Sequence, residues 1–118
     1  MEEIRWYPLK TRGLWANYFC TLLHECLERV GVDTTDVCYE GRMCGTVDFV
    51  NTFLKLTVPK DPKVPEFKGV VVHSFETSVL EAHQSSTRRA LRLVHTQLRQ
   101  CLEGTSYSYL PMAVFDLK

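Results

Sequence analysis

Five cysteines and four histidines are the residues of this chain with the most reactive side chains. Cys20 and His24 stand four residues apart, which places both on one face of a helix, and Cys26 follows closely. Cys38 and Cys44 lie on either side of a short segment that reads as a turn. Structural zinc sites usually carry two cysteines separated by two residues, a spacing that this sequence lacks. The sequence therefore predicts no metal site and no cofactor.

Enzymatic chemistry is not indicated either. A cysteine nucleophile needs an exposed thiolate with a base within reach, and Cys26 lies on an apolar stripe. His73 falls in an apolar run and His83 on the apolar side of a helix, where a hydrogen-bonded core histidine is expected. The sequence has no glycine-rich phosphate loop and no pair of carboxylates at catalytic spacing. A protein that is not an enzyme is the prediction.

A row of basic side chains is the remaining candidate for chemistry. Arg88, Arg92, His95 and Arg99 follow one another at steps of four, three and four residues, with Arg89 beside them. On a helix this spacing forms one stripe, which suits an acidic partner, a nucleic-acid backbone or an exposed flank in contact with water. The whole chain has 14 basic and 14 acidic residues, so no net charge attracts phosphates.

Two helices and three strands are predicted to position these side chains. Hydrophobic residues at helical spacing indicate the helices, and β-branched and aromatic residues indicate the strands. Ser78 and Glu81 form a capping box, and Gly31 suits a helix end. The predicted elements are a helix over 14–30, strands over 37–40, 47–58 and 67–75, a turn over 41–45, a solvated proline-rich loop over 59–65 and a helix over 78–102. The inner stripe of the second helix is predicted to hold Leu80, His83, Thr87, Leu91, Val94, Leu98 and Cys101.

These elements predict one α+β domain over residues 1–118. Its core, 14–104, is a three-stranded antiparallel sheet with two helices packed on one face, in the order α-β-β-β-α. An N-terminal segment, 1–13, precedes this core, and an apolar tail, 105–118, follows it. The tail is hydrophobic enough to fold back on the domain or to add a last strand.

The element order, together with the pairs Glu81-Ala82 and Ala90-Leu91, resembles the double-stranded-RNA-binding domain over residues 14–102. Members of that family that bind RNA carry basic residues at the start of the second helix, where this chain has Val79, Leu80 and His83. The resemblance therefore implies the fold, while direct RNA binding is disfavoured. The C-terminal half, which ends in Thr105, Tyr107, Tyr109 and Pro111, also resembles uncharacterised proteins encoded in grass genomes, which implies a plant source.

A protein–protein interaction module, either self-associating as a homodimer or binding another protein, is the predicted function. Phe49, Phe53 and Lys55 lie on the strand face that should meet water, so this face is expected to be covered by a partner, by a second copy or by the apolar tail folding back, with Trp6 and Tyr7 contributing to it. The alternative is a nucleic-acid-binding domain that uses Arg88, Arg89, Arg92 and Arg99. The sequence shows no signal peptide and no membrane-spanning stretch, and its odd, irregularly spaced cysteines fit an intracellular protein of the nucleus or cytoplasm.

Overall fold

Four strands and two helices make up the fold, which is known from a computed structural model that describes residues 5–12, 18–45 and 50–99. The elements are β1 (Tyr7–Thr11), α1 (Tyr18–Arg29), β2 (Cys38–Gly45), β3 (Val50–Val58), β4 (Val70–Glu76) and α2 (Val79–Gln97). The predicted α+β class is confirmed. The predicted three-stranded sheet is wrong, because the described residues already form four strands in the order β1-β2-β3-β4, all antiparallel to their neighbours.

The additional strand, β1, comes from the N-terminal segment that the sequence placed outside the core. Its pairing with β2 runs from Tyr7 opposite Met43 to Thr11 opposite Tyr39. This pairing requires β2 to continue through residues 41–45, where a turn was predicted. Gly41 lies in the middle of β2 because a Cβ atom there would stand 1.9 Å from the Phe53 carbonyl oxygen. The glycine thus permits a close approach of two strands and does not form a turn.

Both helices begin and end near the predicted residues where the structure describes them. The Ser78 side chain accepts a hydrogen bond of 3.0 Å from the Glu81 N–H, which confirms the predicted cap of α2. Gly31 has a φ of 87°, in the left-handed region, and its N–H bonds the Glu28 carbonyl at the end of α1. α2 ends at Gln97 with Leu98 as its C-cap, so the predicted continuation of this helix through Leu98 is wrong, and residues 100–102 lie outside the described residues.

The core lies between the helices and one face of the sheet. Alternate residues of β3 are buried on this inner face, at Thr52, Leu54, Leu56 and Val58. On α2 the predicted inner stripe is buried from His83 to Leu98, whereas Leu80 is exposed. The loop after β3 also differs from the prediction of a solvated segment. Its Val64 side chain is buried in the core, as is Phe67 just after the prolines.

A buried polar network joins β1, β2 and both helices. The His83 Nδ1 lies 2.8 Å from the Val79 carbonyl oxygen, which can only accept, so Nδ1–H donates. In the neutral ring Nε2 then accepts from the Thr11 hydroxyl at 2.7 Å. The His83 ring also lies 4.7 Å from the Tyr39 ring, whose hydroxyl is 2.5 Å from the Thr87 hydroxyl. The predicted role of His83, a hydrogen-bonded core histidine, is confirmed, whereas His73, for which the same role was expected, is exposed.

Candidate functional site

The outer face of the sheet is the side that the two helices leave uncovered among the described residues. The strand registers place Pro8, Arg42, Phe53 and Phe75 in one row across β1, β2, β3 and β4. A second row, one step along the strands, holds Lys10, Glu40, Lys55 and His73. All the side chains of these two rows are exposed. The predicted site residues Phe53 and Lys55 therefore do face away from the core, and Phe49 lies outside the described residues.

Three aromatic rings form a continuous ridge on this outer face. The Phe53 ring centroid is 4.3 Å from that of Phe75 and 5.5 Å from that of Trp6, with the rings tilted by 40° and 41°. Each ring is about half exposed, at 41% for Trp6, 50% for Phe53 and 52% for Phe75. Taking roughly 200 Å² per aromatic side chain, the ridge leaves about 300 Å² of apolar surface in water. A patch of this size on a monomer is often functional.

The sequence predicted part of this ridge. Trp6 was expected to contribute to the same patch as Phe53, and their ring contact agrees with that expectation. Tyr7 was expected there too, but along β1 it alternates with the outward Pro8 and so belongs to the other face. Phe75 was missed as an outward residue, although the alternation in β4 contains the signal. Buried and exposed residues alternate along β4 from Val70 to Phe75, and Phe75 is one of the exposed ones. It therefore points to the outer face of the sheet.

Charged side chains surround the aromatic ridge and are mostly cationic. The outward positions of the strands carry three cations and one carboxylate, those of Lys10, Arg42, Lys55 and Glu40. The ridge therefore has a positive rim. This arrangement, an apolar centre with a charged edge, is the usual anatomy of a surface that binds another protein.

A groove of about 960 Å³ between β4 and α2 brings together most of the predicted basic stripe. Arg88, Arg89 and Arg92 line it, and Arg99 is exposed but does not. The Arg89 Nη1–H donates to the His73 carbonyl oxygen at 2.8 Å. The Arg88 guanidinium carbon stands 5.4 Å from the centre of the Phe19 ring, a cation–π contact. Two carboxylates, those of Glu76 and Glu81, share the groove with the arginines.

Among the described residues, two cysteines and two histidines are buried, at Cys20, Cys26, His24 and His83. No three His, Cys, Asp or Glu side chains among the described residues form a group able to hold a metal ion. Cys20 is buried beside the Tyr39 and Thr87 hydroxyls, at 3.4 Å and 3.3 Å. Burial raises the pKa of the Cys26 thiol to about 11, which keeps it protonated and unreactive near neutral pH.

Comparisons with known proteins give no family assignment. No family model, no curated protein and no solved structure matches this chain. Within the residues that the structure describes, neither helix is long and apolar enough to span a lipid bilayer.

Proposed function

We propose that this protein is a non-catalytic protein–protein interaction module that binds its partner on the outer face of the sheet. The observation that carries the proposal is the half-exposed ridge of Trp6, Phe53 and Phe75. Aromatic side chains offer large apolar areas with few rotatable bonds, and they dominate the binding energy of protein interfaces. An exposed contiguous cluster on one sheet face is therefore best explained by a partner that covers it.

The charges on this face define the partner that would fit. With Lys10, Arg42 and Lys55 around the ridge, a partner with an apolar centre and acidic side chains at its edge is complementary. A second copy bound face to face would bring the same cations together, which favours a different protein over a homodimer at this surface. The absence of disulfides among the four described cysteines is compatible with an intracellular module.

Duplex RNA is a weaker candidate for the partner. At the start of α2, where a basic cluster would contact phosphates, Val79 is apolar, Leu80 is exposed and His83 is fully buried. Burial also lowers the pKa of His83, so that this side chain carries no charge to offer at neutral pH. The resemblance to the double-stranded-RNA-binding domain thus supports a fold hypothesis and not an RNA-binding proposal.

A photo-crosslinker at the ridge provides the test. Phe53 is replaced by benzoylphenylalanine in the protein expressed in cells of its source organism, and Glu28, exposed on α1, is replaced in a control. The crosslinked protein is identified and purified, and its affinity is measured by isothermal titration. We expect Lys55→Glu to weaken binding about tenfold, because it places like charges against an acidic rim.

The matched control for the titration is Lys60→Glu, which makes the same charge change at an exposed position outside the sheet. Equal affinities of wild type, Lys55→Glu and Lys60→Glu would refute the proposed surface. The same proteins crosslinked from position 53 and from position 28 would refute it too. Light scattering at several concentrations separates the two kinds of partner. A dimer that Phe53→Glu abolishes would identify a second copy as the partner.

A further inference from the structure

The outer edge of β4 directs a row of backbone groups away from the sheet. The Val50 N–H donates to the Thr77 carbonyl, so even-numbered residues of β3 point their backbone groups toward β4. Their partners Val70, Val72 and Ser74 must then bond to β3, which leaves Val71, His73 and Phe75 pointing outward. The bond from Arg89 to the His73 carbonyl agrees independently, since it reaches this carbonyl from α2.

This edge is open among the described residues. β4 is the last strand in the order of the sheet, and no described strand pairs with its far side. Open edges are usually short or protected, and here Arg89 occupies one of the outward carbonyls. The edge forms one side of the groove whose other side carries Arg88, Arg89 and Arg92. Backbone donors and acceptors therefore lie next to three arginines, whose charge exceeds that of the two glutamates in the groove.

We propose that this groove binds an extended, acidic segment of a partner protein, which adds to β4 as a fifth strand. The backbone of the segment pairs with Val71, His73 and Phe75, and its carboxylates face the arginines of α2. Arg89 then exchanges the His73 carbonyl for a carboxylate, which is the stronger acceptor because the hydrogen bond is assisted by charge on both sides. The freed carbonyl accepts an N–H of the incoming strand. The site shares only Phe75 with the aromatic ridge, through the backbone of this residue and not its ring, and it does not depend on the function proposed for the ridge.

A peptide fits this site better than a nucleic acid for two reasons. A peptide strand alternates donors and acceptors that match the outward groups of β4, whereas a phosphate backbone has no N–H groups to offer the carbonyls. Glu76 and Glu81 also line the groove and would repel phosphates, while an extended peptide can place neutral residues opposite them. A second copy paired about His73 would bring Arg89 of both copies together, which is unfavourable.

The test measures binding of a fluorescent heptapeptide, Glu-Val-Glu-Val-Glu-Val-Glu, to the full chain by fluorescence polarisation. Its length matches the seven residues of β4, and alternation places all its carboxylates on one side. Binding is expected, with the largest amide NMR shifts at Val71, His73 and Phe75. The same peptide with methylated alternate amides keeps its charge but cannot pair as a strand, and it is expected to bind at least about tenfold more weakly.

Two pairs of variants separate backbone pairing from charge. Val71→Pro removes an outward N–H without touching the bonds to β3 and is expected to weaken binding about tenfold, whereas Val71→Thr keeps the N–H and the affinity. Arg92→Glu is expected to weaken binding about tenfold, and Arg29→Glu, the same change at the exposed end of α1, to leave it unchanged.

Four results would overturn the proposal. The first is equal binding of the methylated peptide, and the second is equal binding of wild type and Val71→Pro. The third is tighter binding of a twelve-nucleotide RNA, single-stranded or duplex, than of the peptide, which would assign the groove to nucleic acid. The fourth is a different occupant of the groove. A dimer that Val71→Pro abolishes would identify a second copy of the chain, and peptide binding only after removal of residues 105–118 would identify that segment.

Discussion

The hydrogen bond between Thr11 and His83 permits a sharp test of the fourth strand. The perturbation is Thr11→Val, which keeps the β-branched shape and replaces the hydroxyl by a methyl group. His83 is fully buried, and its Nε2 loses the hydroxyl that donates to it at 2.7 Å. A buried polar group that loses its partner costs about 1–3 kcal/mol of stability. At about 4 °C per kcal/mol for a domain of this size, the melting temperature should fall by about 4–12 °C.

Thermal and urea unfolding followed by circular dichroism measure this effect. Thr11→Ser serves as the control because it retains the hydroxyl and removes only the methyl group. The double variant with His83→Leu should be less destabilised than the sum of the two single variants, because the histidine then no longer needs a donor. If Thr11→Val unfolds within about 0.5 kcal/mol of wild type, the hydrogen bond does not hold β1 against α2 and the reasoning is refuted.

Three further predictions concern stability. Burial lowers the pKa of His83 below its ordinary value of 6.5, so on acidification this side chain takes up a proton more readily in the unfolded chain than in the folded one. The midpoint of urea unfolding should therefore fall between pH 7 and pH 5, and this fall should be smaller in His83→Leu. Gly41→Ala forces a Cβ against the Phe53 carbonyl and should cost about 3 kcal/mol in urea unfolding, and a loss below about 1 kcal/mol would contradict the strand geometry. Ser78→Ala removes the cap that bonds Glu81 and should cost about 1 kcal/mol, with Ser78→Asp close to wild type in the same assay.

Local patterns made the helices and the strands β3 and β4 predictable. The N-cap at Ser78 and the periodic burial of α2 depend only on neighbouring residues, so the sequence displays them directly. The same holds for β3, where alternation shows which side chains face outward. This alternation is why Phe53 and Lys55 were assigned to the correct face without knowledge of the sheet.

Pairings between distant segments were not predictable in the same way. β1 has five residues and includes Pro8, a composition that suits an edge strand but gives no alternation long enough to recognise. The role of Gly41 likewise depends on where the Phe53 carbonyl lies, which only the assembled sheet determines. The groove beside β4 follows the same rule, because the arginine stripe was visible in the sequence and the open strand edge beside it was not.

The position of β1 has a consequence for how the chain folds. β2, β3 and β4 pair with their neighbours in sequence, so their two hairpins close short loops. β1 instead pairs with β2, which follows it only after α1, and its Thr11 bonds His83, which is 72 residues away in the chain. The entropy of closing these longer loops places the docking of β1 late, after the three-stranded meander and α2 have assembled. We therefore expect β1, the first of the described strands along the chain, to join the sheet last, and native-state hydrogen exchange should find it the first to leave.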